Sequence, residues 1–555
     1  MKVNYNFMWI YNKTKGLRKY FLVLIIMGLL LAFVNIGMTI TLKRFVDIAV
    51  GDLDYPLLNN ALLAVMFIVL EGIGSMLSIV AFRVSTNKYN KILKIELSEK
   101  LYNSKLIDIQ KKHIGEFMTN ITNDVENVAN CIPTIIRQTV GGGMSAILAI
   151  FYIFFLNWKL ALMLLISIPL LILCVAIFSP IVQKVSKVDK KNEEDVRIYI
   201  QEMLQKIIIL KLCSMESVIG KKLRELTEKK VDSSRKIGIA EGGSSFLNNI
   251  IGTAMMLIAI GGGSYFVSQG ELLLGDMIAI ISLSNYIIWP FTAVGDIISN
   301  ANQSIISAQR LDNIYSLGEQ NQVQCLAKKK ENFTGLKLNQ VSFGYDEVEI
   351  LSNINAVFEA NKIIGVIGES GGGKSTLLKI ISGLYEPTNG SITAVHNEGA
   401  ISGDNLLQYS GFVPPDNLVF RNSIKENICM AMPVDYTKMV NCAKMANIDE
   451  YINSLENKYE TKIGEGEQTL SSGQAQRIAI ARVLYQESEI LLFDEPTSNL
   501  DIDSVFIFLQ TLEQISKDHI CIVVTHDQNV INHCQVLFEI EDGKLTACDK
   551  KVVES

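Results

Sequence analysis

Six apolar runs punctuate the first three hundred positions, at 20–42, 57–82, 132–156, 160–182, 246–267 and 272–297. Each is long enough to cross a bilayer as helix, which takes about 20 residues. The first run follows Lys13, Lys15, Arg18 and Lys19 and so resembles a secretory leader. Its apolar stretch exceeds the usual run of about 7–15 residues and no A-x-A cleavage site follows, so it reads as a span. The polar stretches between runs alternate short and long, and basic residues gather in the long ones. Arg83, Lys88, Lys91, Lys94, Lys100, Lys105, Lys111 and Lys112 lie between the second and third runs, and 186–241 carries a larger set. The short links 157–159 and 268–271 hold only Lys159. The positive-inside rule therefore places the long connections and both termini on the cytoplasmic side.

Those long connections, 84–128 and 183–241, are rich in Lys, Glu, Leu and Ile and poor in Gly and Pro. They predict helices that carry the spans onward into the cytoplasm. Glycine triplets at 141–143 and 261–263, and Pro290, interrupt the spans. Close helix packing or a kink is expected there, ahead of a hinge. Glu71 stands near the middle of the second run, where a charge is costly. It reads either as a substrate or ion contact or as a water-exposed or arginine-paired carboxylate.

From about residue 334 the pattern changes. Short β-rich apolar runs alternate with helical ones, as in a parallel sheet covered by helices. The strand 363–367 (IIGVI) runs straight into GESGGGKS at 368–375, and a helical stretch follows. This is the phosphate-binding loop in its strand–loop–helix setting, with Gly368, Ser370, Gly371, Gly372, Gly373, Lys374, Ser375 and Thr376 as the expected nucleotide-binding set. Glycines free backbone N–H groups to wrap phosphates, the helix N-terminus adds positive potential, Lys374 reaches the β and γ phosphates, and Ser375 can ligate Mg2+. A second strand, 490–493 (ILLF), ends in Asp494 and Glu495. Asp494 can hold the metal and Glu495 can polarise the water that attacks the γ-phosphate. A third, 521–524 (CIVV), delivers Thr525 and His526, and His526 could touch the γ-phosphate or orient that water.

Composition narrows the classes. The 555 residues exceed one ordinary core, and the 49% apolar content is concentrated in the first part. A net charge of −6 supplies no basic field for a nucleic-acid partner. The nine cysteines form no CxxC pair and read as free thiols. Abundant Lys, Ile and Asn suggest a bacterial source.

The motif LSSGQ at 470–474 makes the chain resemble the ATP-binding cassette (ABC) family, whose LSGGQ signature here carries Ser472 in place of glycine. The resemblance extends to Tyr345 as the aromatic that stacks on adenine, SNLD at 498–501 as the D-loop, and His526 as the switch histidine. It implies that Ser471, Gly473, Gln474 and Asp501 join the nucleotide-binding set. It also implies that Glu495, His526 and Lys374 carry catalysis with ATP and Mg2+. One position departs from the family: where a glutamine is expected, FVPPD at 412–416 places Pro415, and Gln408 is out of register. Because ATP in this family sits between one chain's phosphate loop and another's signature, a dimer is implied. A second copy of this chain is favoured, with a homologous half-transporter as the alternative that Pro415 keeps open.

IGEF at 114–117 with TNDVE at 122–126, the stretch 202–216 with Lys211, and SAQRL at 307–311 further resemble the intracellular loops and last-span exit of exporters. The implied fold is a membrane α-helical domain at 1–315, a linker at 316–333 and an α/β P-loop NTPase domain at 334–555. The implied function is ATP-driven export of an amphipathic substrate, a peptide, lipid or drug, across a bacterial inner membrane. An importer on the same fold and an ATP-switched regulator are the alternatives. With no peptidase domain before the first span, a peptide substrate is expected to leave untrimmed by this chain.

Overall fold

The computed structural model describes residues 8–51, 56–112, 114–320, 331–345, 348–396, 399–415, 419–430, 432–464, 467–498 and 500–548. Asp416, Asn499, Cys325 and most of the expected linker lie outside them. The chain forms two compact units: Met1–Tyr102 with Lys112–Ser316, and Asn103–Lys111 with Leu317–Ser555.

The first unit is built on six helices, Lys15–Val50, Leu57–Tyr102, Ile114–Leu156, Trp158–Gln205, Glu216–Ser268 and Leu274–Tyr315, each apolar and long enough to cross a membrane. Their outward side chains confirm the setting they need. Phe33, Phe151 and Phe155 are more than half exposed, a surface that water would penalise and lipid covers. The spans continue as helix into the basic stretches, as expected, with two differences. The helix expected over 183–241 breaks around Ile207–Leu212 and resumes at Glu216. The helix expected over 84–128 stops at Tyr102, is followed by the short helix α1 (Leu106–Gln110), and resumes at Ile114. Hydropathy gave no sign that this short segment joins the other unit.

Two features reshape the third span. Its turns Asn120–Asp124 and Arg137–Gly142 are π-helical, each taking one residue more per turn than the α-helix around it. The glycine triplet at 141–143 lets neighbours come close. A Cβ on Gly142 would stand 1.9 Å from the Trp289 ring, and one on Gly28 would stand 3.2 Å from the Gly141 nitrogen. Below the spans, the Asp124 carboxylate accepts from Ser307 at 2.6 Å and lies 3.7 Å from Arg310. Two of the segments that resemble exporter loops thus meet through a buried carboxylate.

The second unit centres on a six-stranded sheet in the order β12-β11-β3-β10-β9-β6, built from β3 (Ile363–Gly368), β6 (Ser410–Val413), β9 (Ile490–Asp494), β10 (Ile520–Val524), β11 (Val536–Glu541) and β12 (Lys544–Cys548). Only β12 runs antiparallel to its neighbour. β3, β9 and β10 are apolar nearly throughout because both faces are covered. Alternate residues enter two separate cores: Ile363, Leu491, Phe493, Cys521 and Val523 on one face, and Ile364, Val366, Leu492, Ile522 and Val524 on the other. Burying each such side chain contributes about 1.5–3 kcal/mol. A second, antiparallel sheet that the sequence reading did not anticipate orders β2-β1-β4-β5, from β1 (Gly335–Tyr345), β2 (Val348–Glu359), β4 (Asn389–His396) and β5 (Gly399–Ser402). A small pair joins β7 (Asn422–Ser423) to β8 (Lys462–Ile463). Among the described residues no disulfide forms between the eight cysteines.

α1 packs Leu106 and Ile107 onto the second of these cores. Lys105 pairs with Glu386 at 2.7 Å, and the Tyr385 hydroxyl donates to the Gln110 side-chain oxygen. Tyr385 stacks on Phe343 at 5.3 Å, and both rings meet the edge or face of Tyr345.

Candidate nucleotide site

The functional side chains converge because parallel strands end together. β10 lies between β3 and β9, so the loops leaving the carboxyl ends of all three emerge side by side, where α/β sheets bind their ligands. β3 gives the phosphate loop, β9 gives Asp494 and Glu495, and β10 gives Thr525 and His526.

The phosphate loop is shaped by backbone that only glycine tolerates. Gly373 has φ +99°, and a Cβ there would stand 2.8 Å from a Leu351 methyl. Gly368 has φ +142°, and its Cβ would stand 2.3 Å from the Ile540 carbonyl oxygen. Gly373 is followed by α2 (Lys374–Ile381), whose eight residues aim their first N–H groups at the loop. Lys374 is only 6% exposed, and its ammonium donates to the Gly368 and Glu369 carbonyls at 2.7 and 2.8 Å. Burial pulls that ammonium below the usual lysine range, while Glu495 and Asp494 pull it back up.

Ser375 and Asp494 meet as the sequence spacing suggested. The Ser375 hydroxyl donates to Asp494 Oδ1 at 3.0 Å, and Asp494 is 4% exposed. Burial pushes the Asp494 carboxyl up, opposed by the Ser375 hydroxyl and reinforced by the Glu495 charge. A hydroxyl and a carboxylate, all oxygen and with no histidine or cysteine cluster among the described residues, suit Mg2+. That hard ion takes few protein ligands and completes its shell with phosphate and water. An arriving cation would also relieve the raised carboxyl.

Glu495 has φ +47°, in the left-handed region that costs a non-glycine residue about 1–2 kcal/mol. Its N–H donates to the Val524 carbonyl at 2.9 Å, and its own carbonyl accepts from the Ser498 hydroxyl at 3.0 Å, which fixes the turn. The carboxylate thereby comes within 3.6 Å of His526 Nε2, with both side chains about half exposed. The Tyr345 hydroxyl lies 3.4 Å from that of Thr376 on α2.

The signature residues stand apart from this group. Ser471 caps α3 (Ser472–Tyr485), accepting from the Gln474 N–H at 3.2 Å while the Gln474 side chain accepts from the Ser471 N–H at 3.0 Å. This reciprocal cap holds the Gln474 side chain at its own helix end. Gly473 is buried, and a Cβ there would stand 2.7 Å from the Ser504 hydroxyl. Asp501 caps α4 (Ile502–Ile515), accepting from the Ser504 N–H at 2.9 Å, and the Ser504 hydroxyl together with that N–H holds its carboxyl below the usual range. Among the described residues no hydrogen bond or ion pair joins Ser471, Gly473 or Gln474 to Lys374, Ser375, Asp494 or Glu495. The chain therefore displays one phosphate loop and one signature that do not serve each other. Pro415 is half-buried just beyond β6, whose neighbour is β9.

Sequence reasoning missed the aromatic group of Phe343 and Tyr385 behind Tyr345. Its one signal was a further aromatic two residues before Tyr345 on a strand, where alternate side chains share a face.

Comparison with known proteins agrees with this geometry. The chain matches the ABC transporter transmembrane region over residues 21–291 and the ABC transporter domain over residues 351–498. It is 29% identical over 468 residues to a candidate multidrug export ATP-binding/permease protein of Staphylococcus aureus, covering 82% of this chain and 80% of that one. It is 26% identical over 554 residues to a leukotoxin translocation ATP-binding protein of Mannheimia glucosida, covering 98% of this chain and 77% of the other. Among solved structures, an ATP-bound bacterial Atm1-family ABC exporter shares its fold, with a TM-score of 0.77, 22% identity, and coverage of 96% of this chain and 94% of that one. The chain belongs to the ABC transporter family, with the membrane and ATP-hydrolysing parts fused and the exporter fold.

Proposed function

We propose that the chain is one half of an exporter that moves an amphipathic substrate out of the cytoplasm of a bacterium, working as a homodimer with both termini cytoplasmic. The observation that carries this reading is the convergence of Lys374, Ser375, Asp494, Glu495 and His526 at the carboxyl ends of β3, β9 and β10, with no hydrogen bond or ion pair among the described residues tying the signature to them. Two copies arranged head to tail would supply each site with the missing signature, the Ser471 and Gly473 end of α3 pointing its N–H groups at a γ-phosphate. The relatives named for multidrug export and leukotoxin translocation support an outward direction.

In this reading Tyr345 stacks on adenine, the loop from Gly368 to Gly373 with Ser370 and Thr376 wraps the phosphates, and Lys374 turns from its own carbonyls to the β and γ oxygens. Ser375 and Asp494 would hold Mg2+, which when bound spreads the charge that develops on the phosphates. Glu495 accepts a proton from the attacking water and His526 holds that water or the γ-phosphate in line. ATP binding favours the closed pair of nucleotide domains and hydrolysis releases them, so membrane rearrangement is driven only as far as ATP prefers the closed state.

The test uses liposomes with the nucleotide domains outward and amphipathic dyes of each charge sign. ATP-dependent dye uptake into the lumen is expected, and the Glu495→Gln protein should show none. Movement from the lumen toward the nucleotide domains would establish import. Full biological activity of Glu495→Gln would establish a regulator instead.

Pro415 supplies a second check on the site. A proline has neither the side-chain oxygen nor the N–H that a metal-ordering loop uses. Pro415→Gln is expected to raise basal ATPase roughly tenfold or less, at about 1.4 kcal/mol per tenfold, and to sharpen its Mg2+ dependence. Pro415→Ala frees the backbone without adding an oxygen and should leave that dependence unchanged. Equal rates for all three proteins across a Mg2+ titration would remove this position from the metal's environment.

A further inference from the structure

In the first unit the first, second, third and sixth spans line an open cavity of about 490 Å3, with Asn35, Ser78, Arg137, Asn285 and Trp289 among its walls. Among the described residues, Arg137 is the only charged side chain lining it. Its guanidinium sits 5.2 Å from the Phe82 ring centre and forms no ion pair among the described residues. Nor do the side-chain amides of Asn35 and Asn285 make any hydrogen bond among them. Ser75 and Ser145 spend their hydroxyls on the Gly72 and Gly141 carbonyls, which leaves the Arg137 guanidinium and the two amides as polar groups open to a guest.

The backbone is adapted to open this space. The π-helical turn Arg137–Gly142 carries the cation, and such turns interrupt helices mostly at functional positions. Gly142 then allows the Trp289 indole to lie directly on the turn, since a Cβ would stand 1.9 Å from it. At about 1.5 Å per residue Arg137 lies roughly 28 Å from Leu156 at the far end of its span, near the inner edge of the hydrocarbon layer. Glu71 sits one turn from Ser75 on the same helix and is not among the lining residues, though its charge reaches Tyr286 in the wall, so the positive charge offered to a guest is confined to the Arg137 end.

We propose that this cavity binds a small amphiphile with one anionic group, the acid on Arg137 and the apolar part against Leu24, Leu31, Ile79 and Trp289. The inference rests on the export reading and specifies its cargo. A cation with no carboxylate partner among the described residues gains from an anion and repels a cationic amphiphile of the same shape. The volume suits a drug-sized molecule and is too small for a whole two-chain phospholipid.

The chain has three tryptophans, Trp9, Trp158 and Trp289, so Trp9→Phe with Trp158→Phe leaves Trp289 as a reporter inside the cavity. The full chain in phosphatidylcholine nanodiscs is titrated with bromoalkyl sulfate, bromoalkyl trimethylammonium and bromoalkyl maltoside of one tail length, without ATP. The sulfate is expected to quench Trp289 at a concentration about tenfold below the other two. Arg137→Gln should erase that preference, and Arg137→Lys should retain most of it, since the lysine keeps the positive charge. Equal quenching by the three probes, a preference for the ammonium, or an unchanged ranking in Arg137→Gln each overturns the proposal. Loss of the sulfate response when phosphatidylglycerol is added to the nanodiscs overturns it too, by assigning the cavity to bilayer lipid. If Arg137→Gln does not fold, the ranking in the native-arginine protein decides alone. Because quenching needs no ATP, ATP-driven dye uptake without a sulfate preference would sink this inference and leave the export reading standing.

Discussion

Glu495→Gln is expected to lower ATP turnover by roughly a hundredfold or more, the range in which general-base catalysis operates, while ATP binding changes by no more than about twofold, a few tenths of a kcal/mol. The glutamine keeps the shape of the side chain and the left-handed turn at φ +47°, which is held by backbone bonds to Val524 and Ser498. Only the proton acceptor is lost. Release of phosphate at saturating ATP, beside binding of a fluorescent ATP analogue, separates the two quantities. His526→Ala should move turnover in the same direction through the neighbour 3.6 Å away. A Glu495→Gln protein that turns over at the native rate would remove the carboxylate from the chemistry.

Lys374→Ala is expected to weaken ATP binding roughly a hundredfold, about 2.7 kcal/mol, because the phosphates lose the ammonium that the loop supplies. The substitution also deletes two hydrogen bonds to the Gly368 and Glu369 carbonyls, so part of the loss could come from a loosened loop. Adenosine separates these contributions. It has no phosphates and leans on Tyr345, so its weak binding should be equal in both proteins if charge is the cause. An equal proportional loss for ATP and adenosine would show that the alanine collapses the loop instead. Melting temperatures of the two proteins check that the fold survives.

The sequence was most readable where one residue type has one physical use. A glycine-rich loop ending in Lys374 and Ser375, between an apolar strand and a helix, leaves little freedom, and the structure joins Ser375 to Asp494 across 119 positions of chain. The six spans were legible because lipid demands long apolar runs and the positive-inside bias is simple to count. The antiparallel sheet escaped because β1 and β2 mix polar and apolar residues and carry register shifts that blur their alternation. The π-helical turn at Arg137 was invisible because an extra residue per turn leaves composition unchanged. A basic residue just inside the apolar run 132–156 was the available hint, and it was passed over. Asp501 and Gln474 were assigned to the nucleotide from the resemblance alone. In the single chain their side chains are taken up in capping their own helices.

The placement of α1 has a consequence for how the protein is made. The second unit is discontinuous in sequence: Gln110 leaves the ribosome 275 residues before its partner Tyr385. At about 5–20 residues per second the segment waits roughly 15–55 seconds for the surface that will cover Leu106 and Ile107. During that interval two apolar side chains are exposed beside newly inserted spans. The nucleotide domain cannot complete its own surface from residue 317 onward, because one piece of it was synthesised with the membrane helices. Synthesis order therefore makes the last-made domain dock onto a peptide already tethered to the bilayer, and links its final folding step to successful insertion of the spans on either side of that peptide.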